Sequence, residues 1–143
     1  MLPLSKDGKV CITSSQNAQL VVKVRRAWTP SNRRYTITEA IKVLESAEGK
    51  RVPSKTNVVR VKLGKVEGLP ANVTAALISV TATGGKKSSS VRVAKCGTAR
   101  KLILTVKAGE TESAERWVTL RGGDLCISAT SPTPVIVNVL GIS

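Results

Sequence analysis

Val118-Thr-Leu-Arg-Gly-Gly-Asp-Leu-Cys-Ile-Ser-Ala-Thr-Ser-Pro-Thr-Pro-Val-Ile-Val-Asn-Val-Leu-Gly141 decides how this chain is divided, because a version of it is written twice. Gly8-Lys-Val-Cys-Ile-Thr-Ser-Ser-Gln-Asn-Ala-Gln-Leu-Val-Val-Lys-Val-Arg25 aligns with Gly123 through Leu140 without a gap. Gly8 falls on Gly123, Cys11 on Cys126, Ile12 on Ile127, Val22 on Val137 and Val24 on Val139, a constant offset of 115 residues. Self-similarity at one domain's length says where a chain is divided. The expectation is one module over residues 36–143 whose last hairpin lies at 118–141. It is preceded by a second copy of that hairpin at 8–25, within an arm and basic linker over residues 1–35.

Outward from this stretch the same pattern recurs. Val59, Val61 and Leu63 alternate with Arg60 and Lys62, the period of a half-buried strand. Val91–Lys95, Leu102–Lys107, Arg116–Leu120, Leu125–Ser128 and Val135–Leu140 read likewise as strands; in Thr36–Leu44, Ile37, Ala40, Ile41 and Leu44 also sit at helical spacing, and strand is the preferred reading for Ile41–Leu44. Val73 to Thr83 is apolar on both faces over its centre, as a strand in the middle of a sandwich must be. Gly64–Pro70 and Gly84–Ser90 read as turns, and residues 45–53 as a long loop. Nineteen valines and no Phe fit this picture, since a β-branched side chain packs well on a pleated surface and loses more in a helix. The expected class is all-β: an antiparallel two-sheet sandwich, jelly-roll-like, preceded by the extra N-terminal β-hairpin arm.

The charge balance is one-sided. Twenty-three Lys and Arg against 9 Asp and Glu give +14, which attracts polyanions or acidic surfaces and says nothing about fold. Lys23, Arg60, Lys62, Arg92 and Lys107 take outward strand positions and form a candidate basic face. Arg25, Arg26, Trp28, Arg33, Arg34 and Tyr35 form a candidate docking segment in the linker.

The residue inventory argues against an enzyme. Without His, a Cys or Ser nucleophile lacks its usual activating base, and no Asp or Glu pair stands in a catalytic arrangement. Three scattered cysteines do not make a structural zinc site, so no metal and no cofactor is expected. Gly84-Gly85-Lys86-Lys87-Ser88 lacks the spacing and the following helix of a phosphate loop and reads as a hairpin tip. Asn72-Val73-Thr74 has the form of a glycosylation triplet and no secretory signal to give it meaning. Cys96 and Cys126 either close a loop of 29 residues, leaving Cys11 free, or all three are buried thiols in a reducing compartment. No apolar run reaches membrane-spanning length, so no membrane insertion is expected, and Met1–Gly8 has no secretory character.

Val58-Val-Arg-Val61, Gly68-Leu-Pro-Ala71, Val73-Thr-Ala75, Val80-Thr-Ala-Thr83, Cys96-Gly97, Gly109-Glu-Thr111, Leu125-Cys-Ile127 and Val135-Ile-Val-Asn-Val-Leu-Gly141 form an ordered series. It resembles an all-β repeat module of actinobacterial cell-surface proteins and of virion proteins of their phages. Two aspartates usual in that module are replaced here: Val43-Leu44-Glu45-Ser46-Ala47 stands for Leu-Leu-Asp-Thr-Arg, and Asn138 for the second aspartate. The resemblance implies a non-enzymatic accessory protein. The expected function is a structural protein of a phage particle, a capsid decoration or an accessory head or tail component. It would bind an acidic capsid or tail protein lattice through its basic surface, be made in the host cytoplasm and reside in the virion. A homo-oligomer with strand exchange by residues 8–25 is expected. The alternatives are a wall-associated module at the bacterial cell surface and a non-specific nucleic-acid binder. Against the last stand the scarcity of aromatic stacking platforms and the lack of a recognition helix.

Overall fold

The computed structural model describes residues 39–46 and 52–143. The echo at 8–25 and the linker 26–35 lie outside them, and with these Cys11, Lys23, Arg25, Arg26, Trp28, Arg33, Arg34 and Tyr35. Residues 47–51 of the expected long loop also lie outside. Eight strands are described: β1 (Ile41–Glu45), β2 (Val59–Val61), β3 (Ala75–Thr83), β4 (Ser89–Lys95), β5 (Lys101–Val106), β6 (Thr111–Thr119), β7 (Leu125–Ala129) and β8 (Val135–Ile142). All pairings are antiparallel, in two four-stranded sheets. Sheet A has the order β1-β8-β3-β6 and sheet B the order β2-β7-β4-β5. The chain is an all-β two-sheet sandwich.

The pairings are nested: β1 with β8, β2 with β7, β3 with β6 and β4 with β5. The chain therefore behaves as one long antiparallel ribbon, folded over so that β3 also meets β8 and β4 also meets β7. That is the strand order of an eight-stranded jelly roll.

Alternation decides which residues enter the core. Ala76, Ile78, Val80 and Ala82 of β3 face Leu125, Ile127 and Ala129 of β7 and Val91 and Val93 of β4, and all are buried. Val135, Val137 and Val139 of β8 complete the interior. Among the described residues, no aromatic side chain belongs to this core cluster. Each fully buried Val or Ile stabilises the fold by roughly 1.5–3 kcal/mol. β3 is buried on both faces at Ala76–Ile78, Leu77 included, while Ser79 and Thr81 on its outer side are half-buried.

The closing hairpin expected at 118–141 is not there. β7 belongs to sheet B and β8 to sheet A, so these consecutive strands never pair. The cause lies in Ser131-Pro-Thr-Pro134, whose two prolines lack the amide donors of a hairpin turn. Thr133 is wholly buried in this crossover; its hydroxyl donates to Ser89 Oγ at 2.6 Å and its amide to the Pro53 carbonyl at 3.1 Å. Two smaller expectations also shift. Leu63 is buried but opens a 3₁₀ turn, Leu63–Lys65, because β2 ends at Val61. β6 begins at Thr111 and not at Arg116, so its first half is a polar strand.

Candidate interaction faces

The two outer faces of the sandwich differ in charge, and the register says why. On sheet B, Arg60 of β2 pairs with Cys126 of β7, which pairs in turn with Ala94 of β4. One row further, Ser128 of β7 stands beside Arg92 of β4, and Arg92 beside Leu102 of β5. Between the arginines the outward side chains are small, so the face is low and open. Arg100, from the turn after β4, returns over this face and donates from Nε to Ser128 Oγ at 2.9 Å. The carboxylate of this face is Asp124, which is taken by Arg60 at 2.6 Å.

On sheet A the pattern inverts. One row across it reads Lys42, Asn138, Ser79, Glu115, and the next Glu45, Ile136, Thr81, Ser113. Hydroxyls pair across strands, Thr81 with Ser113 at 2.7 Å and Thr83 with Thr111 at 3.2 Å. On or beside the two edge strands lie Glu39, Glu45, Glu110, Glu112 and Glu115, against Lys42 and Arg116. Lys42 is bonded to Glu45, and Arg116 reaches across the sandwich to the Leu102 carbonyl of β5.

Of the candidate basic residues, the structure therefore brings Arg60 and Arg92 onto one face. Lys62 lies just past β2, at the end of the sandwich. There an open cleft of about 240 Å³ is lined by Lys62, Lys65, Val73, Gly123 and Asp124. Lys107 follows β5 near the opposite end and lies 4.0 Å from Glu110. Arg100, missed in the sequence because it lies in a turn, is joined to the face by Ser128.

Cys96 and Cys126 are joined by a disulfide, with 4.9 Å between their Cα atoms. It ties the end of β4 to β7 on the basic face, where the Cys96 amide also donates to the Asp124 carbonyl at 2.8 Å. Among the described residues, no group of three His, Cys, Asp or Glu side chains could hold a metal ion. No helix among them is long and apolar enough to cross a membrane. No protein-family model matches the chain, and no curated protein matches it significantly.

Proposed function

We propose that this chain is a non-enzymatic structural protein of a phage particle, a decoration or accessory component of the head or tail. It docks on an acidic protein lattice through the outer face of sheet B. The observation that carries this reading is the separation of charge between the sheets. Arg92 and Arg100 are gathered on one face, neither in an ion pair among the described residues, while Glu45, Glu112 and Glu115 lie on the edge strands of the other sheet. Complementary potentials of this kind orient a docking partner and exclude like-charged ones. The strand order adds support by analogy of fold alone, since jelly rolls include viral capsid domains. The oligomer remains part of the proposal, with residues 8–25 adding a strand to a neighbour's sheet edge. Intact particles banded on a density gradient should carry the protein in stoichiometric amount, and particles free of it would refute the reading.

A second reading, a module bound to anionic wall polymers at a bacterial surface, is favoured by the Cys96–Cys126 disulfide. Such bonds persist outside reducing compartments. Retention on purified cell walls that falls as salt rises would support it; no salt-sensitive retention would count against it.

A further inference from the structure

Three of the described carboxylates have a cation at hand: Glu45 has Lys42, Asp124 has Arg60 and Glu110 has Lys107. Glu67, in the turn after the 3₁₀ segment, and Glu112 and Glu115, together on one strand, do not. Glu112 and Glu115 are both exposed on β6, which among the described strands is an edge of sheet A, and neither forms an ion pair with a described residue. The nearest cation in sequence, Arg116, is turned away to the Leu102 carbonyl. Glu112 stands opposite Ala82 and Glu115 opposite Ser79, so the two project to opposite sides of the pleat. Three positions along a strand separate them by about 10 Å. They therefore flank the strand's open backbone edge, and a partner meeting both must receive that edge.

Sheet B offers the converse. Arg92 and Arg100 are exposed and converge on Ser128, with no acidic side chain bonded to either among the described residues. Beside Arg92 lies Leu102, 49% exposed and one of two large apolar side chains so presented among the described residues. Small residues, Ala94 and Ser90, leave the face low enough to admit a strand edge. Gathering two guanidinium groups without a counter-charge is unfavourable in the isolated subunit, and two carboxylates about 10 Å apart would relieve it.

We propose that the acidic partner of sheet B is a second copy of this chain, which inserts its β6 edge, with Glu112 and Glu115, against Arg92, Arg100 and Leu102. The two surfaces lie on different parts of one subunit. The contact is therefore heterologous, and repeats of it build a ring or an open chain of subunits. This rests on the particle reading and deepens it, by making the acidic surface that sheet B meets the β6 edge of another copy. At the chain's net charge of +14, long-range repulsion opposes association at low ionic strength. At about 0.15 M salt the Debye length is about 8 Å, which screens that repulsion while contact pairs persist.

The test uses nuclease-treated full-length protein at that ionic strength, followed by sedimentation velocity over a range of concentrations. Wild type should self-associate. R92E/R100E and E112R/E115R should each weaken association by roughly tenfold or more. An equimolar mixture of the two should restore it, because each reversed surface then meets its complement; a misfolded variant would not be rescued in this way. A monomeric wild type, variants that associate as wild type does, or a mixture that stays dissociated would overturn the contact. Association that vanishes on nuclease treatment would also overturn it and assign the face to nucleic acid. If both variants still band with particles in stoichiometric amount while the mixture stays dissociated, this contact fails and the particle reading stands.

Discussion

Arg100 donates from Nε to Ser128 Oγ at 2.9 Å, which brings a turn residue back over the middle of sheet B, where Ser128 neighbours Arg92. The sequence places these residues 28 and 36 positions from Ser128, and only the β4–β7 pairing puts them on one face. R92Q/R100Q should therefore elute from a cation exchanger at clearly lower salt than K86Q/K87Q, which removes the same charge from the exposed β3–β4 loop. Equal elution would mean that net charge alone governs binding. Stability should change by less than about 1 kcal/mol in either variant, since exposed charges contribute little.

Ser46 extends the sheet beyond the end of β1. It is 2% exposed; its Oγ accepts from the Val135 amide at 2.7 Å, and its own amide donates to the Val135 carbonyl at 2.9 Å. Ser46→Ala leaves the Val135 amide buried without an acceptor, which costs about 1–3 kcal/mol. Urea unfolding should show a lower midpoint with unchanged slope.

The disulfide closes a long loop between the end of β4 and β7. On the chain-entropy account a closure of this length is worth about 3–4 kcal/mol. C96S/C126S should be destabilised by that order, and reductant should lower the unfolding midpoint of wild type but not of the variant.

Gly84 sits where the β3–β4 and β5–β6 loops close on each other. A Cβ there would meet the Lys107 carbonyl oxygen at 1.8 Å, while the Gly84 amide donates to the Glu110 carbonyl at 2.8 Å. Gly84→Ala should cost at least about 1–3 kcal/mol, the usual penalty of overpacking, because a backbone atom must move. Gly97 has φ +84° with open space around it. Gly97→Ala meets only the backbone penalty of its turn, so the denaturation midpoint should fall less than for Gly84→Ala.

Alternation made the sandwich legible where one face of a strand is buried: β2, β4, β5 and β8 all lie where the Val, Ile and Leu spacing puts them. It failed for Thr111–Arg116, because β6 is an edge strand exposed on both faces over this half and carries no apolar period. It also joined β7 to β8 as a hairpin, because in sequence a short polar connection looks the same whether it turns within a sheet or crosses between sheets. Period two tells inward from outward but not which sheet a strand joins. The basic positions were therefore readable one by one, as at Arg60 and Arg92. Their separation from the glutamates of β6 was not, since it follows from the nested pairing.

The central claim is that the outer face of sheet B is covered when the protein is in its particle, and arginine modification by a dicarbonyl reagent, read by mass spectrometry, tests it directly. Arg60 and Arg92 lie on that face, whereas Arg121 is exposed in the β6–β7 turn. Comparing particle-bound with free protein, Arg60 and Arg92 should be modified several-fold more slowly in the particle, with Arg121 unchanged. Equal labelling of all three in both states, or protection confined to Arg121, would contradict the account.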